Sequence, residues 1–351
     1  MSEYIFNGFI PQEEWLNVGF NVTRQNDPID KLFGDEKTDN ITAKWQSIAN
    51  EYQVPMMAEF HGFDTEAQQT FRVPIDNHEI EKGLIKVKVN QSELLRTYKR
   101  AGVQGDRQLA DYVLNDGIRL AEQVFTRSKV AKNELMATGK VTIKENGLDL
   151  TIDYGVPADN LAYTIDTDED VFGQIQSIFD AANANGVTIT GMMTSKKMIT
   201  LLRKSASVQI AINGTAAAGA TVKRSAFDDY MEAEFGVTTI ITNDQTYGAS
   251  AVVGADGRPT ITTKRYYPDN KITFFATNPA GKMGVGLWGD APEVDLAKLG
   301  DSVTTETSVS PFVYVTQYKT DDPAEIWTKA SALFVPVLYN PNSIFVATVN
   351  P

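Results

Sequence analysis

The chain has no cysteine and only 2 histidines in 351 residues. A disulfide framework, a cysteine zinc site and a thiol nucleophile are therefore excluded, and a histidine-rich metal centre cannot be built. Positive charge is also scarce: 32 Lys and Arg stand against 45 Asp and Glu, a net charge of −13. With no basic face interleaved with aromatic residues, direct and tight nucleic-acid binding is not expected. The opening Met1-Ser2-Glu3-Tyr4 has no basic region followed by an apolar core, so no secretory signal is expected and residence in the cytoplasm is the default. Residues 331–351 carry no charge, yet Pro336, Asn340, Pro341, Asn342 and Ser343 interrupt them. A bilayer crossing needs roughly 20 apolar residues in a row, so no membrane segment is expected there. Two buried strands, 333–339 and 344–349, joined by a Pro/Asn turn are predicted instead.

What is present is a globular composition, 42% hydrophobic and 22% charged. The length permits two or three modest lobes, because single cores stop growing near about 250 to 300 residues. Residues 1–53 are mixed, with breakers at Asp27-Pro28 and Gly34-Asp35, and read as an extended arm. Between 54 and 90, Phe60, Phe63 and Phe71 surround a polar tip at 64–69, and Ile85, Val87 and Val89 alternate with Lys86 and Lys88. A long hairpin with a polar tip is the simplest reading.

Residues 107–136 hold no proline, and Leu109, Val113, Gly117, Leu120, Val124, Ser128, Ala131 and Leu135 share one helical face. With Asp106 as N-cap and Gly139 as stop, the spacing predicts a helix of about 30 residues, roughly 45 Å long. Its single narrow stripe suggests a girder rather than a core element. A hairpin turning at Glu145-Asn146-Gly147 follows at 140–154. Beyond it, 166–180 reads as a helix and 187–193 as a strand, and Thr194 or Ser195 caps a helix at 196–204. A flexible segment is expected at 211–221, a helix at 227–234, and strands at 238–242 and 271–277. This is an α/β lobe, and no repeat of fixed period is present.

Charge is segregated. Residues 145–195 contain nine acids, among them Asp166, Asp168, Glu169 and Asp170, and no Lys or Arg. Residues 181–227 contain six bases, Lys196, Lys197, Arg203, Lys204, Lys223 and Arg224, and no acid. Such blocks suit complementary contacts between copies, and solvated faces explain single members equally well.

Motifs for chemistry are weak. Gly284, Gly286 and Gly289 fit a G-x-G-x-x-G pattern, but Pro279, Gly281 and Pro292 flank it and no long helix follows, so a glycine-rich connection is expected instead of a cofactor loop. His61 and His78 lie near Glu59, Asp64 and Asp76, a conceivable acid–base pair that loop histidines do not require. The acids at 166–170 lack the glycine and final glutamate of a calcium loop, and favourable charge at a helix N-terminus explains them better.

Several residues near the end carry a resemblance: Tyr267-Pro268-Asp269-Asn270 before a strand and a glycine-rich stretch, then Asp322-Pro323-Ala324-Glu325, Ser331-Ala332, Leu333, Pro341 and Phe345-Val346. With the long helix, Gly139-Lys140 and the hairpin, the chain resembles the major capsid proteins of tailed bacteriophages, in particular the lambda major head protein family (capsid protein E). The resemblance implies an α+β Hong Kong 97-type fold: arm 1–53, extended loop 54–90, peripheral domain 91–165 and 303–351 with a spine helix at 106–138, and axial domain 166–302. It implies a structural subunit that self-assembles as pentamers and hexamers into an icosahedral shell enclosing double-stranded DNA in a virion, assembled in the host cytoplasm, without enzymatic activity or cofactor. A separate scaffold protein, a portal and a candidate decoration protein are the implied partners. Phe60, Phe63, Phe71, Arg72, Lys196, Lys197, Arg203, Lys204, Asp166, Asp168, Glu169 and Asp170 are the interface candidates. Two alternatives stay open: an encapsulin-like nanocompartment shell protein, marked by a cargo-loading pocket, and a soluble carboxylate-based hydrolase, marked by a deep acidic pocket.

Overall fold

The computed structural model describes residues 27–48, 57–58, 75–91, 103–215, 219–253, 259–294, 306–309, 312–320 and 325–350. A 3-10 turn (Pro28–Lys31) precedes β1 (Phe33–Lys37), β2 (Thr42–Ile48), β3 (Ile75–Glu81), β4 (Gly83–Gln91), the long helix α1 (Val103–Thr138), β5 (Lys140–Glu145), β6 (Leu148–Asp153) and β7 (Tyr163–Asp166). Next come α2 (Val171–Ala184), β8 (Gly191–Thr194), α3 (Lys196–Lys204), α4 (Ala206–Asn213), α5 (Arg224–Phe235), β9 (Thr239–Thr242), β10 (Thr246–Val253), β11 (Pro259–Arg265) and β12 (Lys271–Phe275). The chain closes with β13 (Gly284–Gly289), β14 (Glu306–Val309), β15 (Tyr314–Thr320), β16 (Glu325–Leu338) and β17 (Ile344–Asn350).

Two sheets organise two lobes. The first has the order β1-β13-β16-β15-β14 with β4 also paired to β16; the second runs β7-β17-β12-β8-β9. The uncharged tail forms the two expected strands, joined by a turn at Pro341–Ser343 in which the Asn340 side chain accepts from the Asn342 N–H. They do not form a hairpin. β16 enters the first sheet and β17 the second, so the turn at 340–343 carries the chain from one lobe to the other.

Helix α1 has 36 residues and is already under way at Val103, so Asp106 lies inside it rather than capping it. From Asp116 onward the expected stripe is inward: Gly117, Leu120, Val124, Ser128, Ala131 and Leu135 are all buried. The girder reading fails at the C-terminal half, where Lys129, Lys132, Asn133, Met136 and Ala137 are buried too. The helix there is a core element over most of its circumference, with Arg127, Val130, Glu134 and Thr138 left partly exposed along one line. Its end is closed as expected by Gly139 in the left-handed region (φ 69°), where a Cβ would press against Val156. The last carbonyls, which no intrahelical N–H can reach, are met by the second lobe: the Thr273 hydroxyl donates to Met136 O at 2.8 Å and the Lys271 ammonium to Ala137 O at 2.9 Å. Burial lowers the pKa of Lys271.

A second joint ties three chain segments. The Asn243 amide donates to Asp27 Oδ1 at 3.1 Å and to Asn133 Oδ1 at 3.0 Å. Burial raises the pKa of Asp27. Part of the expected arm is thus packed: Ile29, Leu32 and Phe33 are buried in the first-lobe core, and β1 runs parallel to β13.

The run 84–90 is a strand, but it pairs with β16, while the antiparallel ribbon consists of β2 and β3. Trp45 stacks on its cross-strand partner His78 at 5.1 Å and on Tyr154 at 6.0 Å, seating the ribbon's root on the first lobe. The tip and its Phe60, Phe63, Phe71 and Arg72, as well as His61, lie outside the described residues.

Candidate assembly surfaces

The expected glycine-rich connection is a strand. β13 lies inside the first sheet, and its glycines leave room for two buried ammonium groups. A Cβ at Gly286 would come within 2.6 Å of Asp35 Oδ1 and 3.0 Å of Lys132 Cε, and one at Gly289 within 3.0 Å of Lys82 Nζ. Lys132, 1% exposed, pairs with Asp35 at 2.9 Å and Asp30 at 3.3 Å, and Asp35 Oδ1 also accepts from the Trp288 indole at 2.8 Å. Lys82 donates to Thr38 O, Thr38 Oγ1 and Trp288 O at 2.7, 2.6 and 2.9 Å, and burial lowers its pKa. These groups anchor the N-terminal segment to the body. Sequence reasoning missed them because a charged residue off an apolar stripe reads as solvated; the alternating glycines were the available signal.

Two outer surfaces follow from alternation. In the β5–β6 hairpin, Asn146 (φ 51°) and Gly147 (φ 81°) supply the positive φ pair that a type I′ turn needs. One face carries Val141, Ile143, Ile152, Leu150 and Leu148, and the other the ion pairs Lys140–Asp153 at 2.8 Å and Lys144–Asp149 at 3.6 Å. The apolar face is buried at its root, Val141 and Ile152, and open at its tip, where Leu150 is 50% and Leu148 63% exposed. Across the first sheet, on the face turned away from α1, Lys88 sits 4.1 Å over the Trp327 ring. Beside it Glu293 binds Lys329 at 2.7 Å, Lys86 at 3.3 Å and the Ser331 hydroxyl at 3.1 Å. Burial alone would raise the Glu293 pKa, but the Lys329 hydrogen bond and the two ammonium charges outweigh it and carry it down to about 2.

The charged candidates occupy the second lobe. Lys196, Lys197 and Lys204 are exposed on α3, Lys197 pairing with Asp269 at 2.9 Å, while Arg203 turns its Nε to Val222 O at 2.7 Å. Asp168, Glu169 and Asp170 are exposed before α2, and Asp166 Oδ1 accepts from Asp168 N at 2.9 Å. Hydroxyls bring the two regions together within one subunit: the Ser205 hydroxyl donates to Thr167 O at 2.6 Å and Ser207 Oγ accepts from Val171 N at 3.2 Å. Among the described residues no ion pair joins the acidic and basic blocks. Ser195 caps α3 as expected, its Oγ accepting from Met198 N at 3.1 Å. The segment expected to be flexible at 211–221 begins in helix α4, which runs to Asn213.

The family model for phage major capsid protein E matches residues 24–349. The chain belongs to the phage major capsid protein E family. This capsid protein is a structural component of a phage shell, and its fold is of the Hong Kong 97 type. It is similar to a prophage protein of E. coli CFT073 described as a capsid protein, at 14% identity and TM-score 0.54 over 96% of this chain and 97% of the other. The mature capsid of bacteriophage PhiM1 aligns at 9% identity and TM-score 0.49, covering 93% and 88% of the two chains. A virus-like particle from Pyrococcus furiosus aligns at 12% and 0.46, covering 95% and 98%. No curated protein matches the capsid protein in sequence.

Proposed function

We propose that the subunits assemble through pentamers and hexamers into a closed icosahedral shell that encloses double-stranded DNA, built in the host cytoplasm with a separate scaffold protein, a portal and a decoration protein. The observation that carries this reading is the family match from residue 24 to 349, which runs through both lobes and the long helix. In it the second lobe takes the axial position with most of the span expected at 166–302, leaving β13 to the first sheet and taking β17 from the closing segment, and the first lobe with the spine forms the periphery. Because a closed shell repeats one contact many times, small patches suffice for each. Lys196, Lys197, Arg203 and Lys204 of one subunit face Asp166, Asp168, Glu169 and Asp170 of the next, and the ribbon tip with Phe60, Phe63, Phe71 and Arg72 lies on a neighbour. Negative-stain microscopy and light scattering of the purified chain, alone and with a candidate scaffold, test this. Shells that protect DNA from nuclease support it; a strict monomer at every concentration and salt, scaffold included, overturns it.

A further inference from the structure

Among the described residues three two-stranded ribbons lie outside the two main sheets, and two of them are protected against stray pairing. Lys44–Glu79 at 3.1 Å closes one face of β2–β3 while Trp45 seats the other, and β5–β6 carries the Lys140–Asp153 and Lys144–Asp149 pairs opposite its buried root. The β10–β11 ribbon has neither device. No charged residue occurs in 246–253 or 259–263, and both outer edges are unpaired among the described residues. Its register puts Ser250, Val252, Thr260 and Thr262 on one face and Ile261 and Thr263 on the other, and all six are exposed, Val252 at 67% and Ile261 at 59%. An isolated two-stranded ribbon is marginal in water, and a bare uncharged edge invites pairing. Its root is nonetheless held: Tyr247 lies 5.0 Å from Tyr266, and Arg265 pairs with Asp244 beside the Asn243 joint.

A cleft of about 610 Å³ separates the ribbon from α1, lined by Gln123, Thr126 and Arg127 on the helix and by Tyr247, Ile261 and Lys264 on the ribbon. Arg127 is matched by Glu145 at 3.2 Å, whereas Lys264 has no carboxylate partner among the described residues. The cleft therefore holds one unmatched positive charge, and a chain of net charge −13 has acids to spare for it. Area decides between a second copy and a separate partner. Seven residues at about 3.4 Å and two strands about 10 Å across give faces of about 240 Å² each. Covering both buries about 960 Å² counted over both partners, short of the roughly 1,200 Å² at which stable pairs begin. A separate protein meeting this ribbon alone is held weakly, while a neighbouring subunit is kept in place by every other contact of the shell. We propose that the β10–β11 ribbon and the cleft beside it seat a second copy of this chain, which covers the ribbon and brings an acid to Lys264. This rests on the shell reading above and adds one contact to it.

The absence of native cysteine makes the test clean. Thr262→Cys subunits are labelled with a benzophenone maleimide, mixed with heavy-isotope wild-type subunits, assembled and irradiated. A two-chain adduct with heavy acceptor peptides is expected in shells and is expected to be absent from unassembled subunits. Acceptor peptides from the same chain alone, from a scaffold protein alone, or no adduct in shells would overturn the second copy as occupant. Independently, Val252→Lys with Ile261→Lys places a charge on each exposed face, and is expected to lower shell yield at least tenfold with an unchanged circular-dichroism melt of the unassembled subunit. Wild-type yield, or a melt lowered along with the yield, would overturn the contact, the second because the ribbon would then be covered within its own subunit. Lys264→Glu is expected to lower yield at least threefold at low salt, and an undiminished yield would overturn the cleft as part of the seat. A wild-type chain that forms no shell fails the shell reading instead, which the same light-scattering trace reports before any variant is made.

Discussion

The two lobes solve the same packing problem with different chemistry. The second-lobe core is apolar and aromatic: Phe172 lies 4.5 Å from Tyr230, Phe179 5.7 Å from Phe274, and Ile165, Ile178, Leu202, Phe227 and Met231 fill the rest. Its buried Ser195 and Ser205 are neutral groups bonded to backbone. The first-lobe core also has a dry part around Leu120, Val124, Phe125 and Trp288, but charges run through it at Lys82, Lys132 and Asp35. A dry core gains from burial alone and tolerates small shifts among its apolar partners. A buried charge is costly unless its partner is present, so the charged core holds only when the segment 27–38 is docked. The first lobe therefore makes the seating of its N-terminal segment a condition of its own stability, and the second lobe does not.

The largest expected effect attacks the dry part of the first lobe. Leu120→Asp puts an unpaired charge at a position 5% exposed, and a cost above about 4 kcal/mol should leave the subunit insoluble. Solubility and a wild-type thermal midpoint would show that this face of α1 is not packed. Phe274→Ala in the second lobe should cost about 4 kcal/mol by chemical denaturation, as expected for a large cavity in a dry core.

Lys132→Met should cost about 3 kcal/mol because it strands Asp35, and adding Asp35→Leu should recover part of that loss, whereas paired deletions far apart in the second lobe simply add. A double-mutant cycle that sums to zero coupling would erase the distinction between the two cores.

Acid should separate the lobes as well. The Glu293 pKa is depressed from 4.5 to about 2, so its contribution is fully present above about 4.5 and lost as pH falls through about 2, at most about 3 kcal/mol. Glu293→Gln should flatten the stability profile in that window; an unchanged profile would remove the clamp on Lys86 and Lys329. The smallest effect is the control: Glu122, exposed and two residues from Leu120, should tolerate Glu122→Gln within about 0.5 kcal/mol.

Periodicity made much of this legible. The stripe of α1, its stop at Gly139, the Asn146-Gly147 turn and the Ser195 cap are local events, decided by residues within a few positions of one another, so a linear reading reaches them. The strand character of 84–90 and 344–349 was legible for the same reason, but their partners were not. Strand pairing joins Leu84 to Leu333 across the chain, and nothing near Leu84 encodes that choice. Of the candidate surfaces, exposure of Lys196, Lys197 and Lys204 was readable from a charged block, and the open leucines of the hairpin tip were not. Alternation says which face is apolar, and only the position of the neighbouring elements says whether it is covered.

By itself the sequence determined the elements and their faces, the absence of thiol chemistry and, through its closing motifs, the resemblance to a shell subunit. Tertiary structure decided that Gly284–Gly289 is a strand rather than a loop, because its glycines matter only when Asp35, Lys82 and Lys132 are folded against them. It also decided that α1 is a core element, since a lysine reads as solvated until two aspartates from about 100 residues earlier arrive beside it. Burial and ion pairing depend on groups distant in the chain, and those distances are set only when the lobes close.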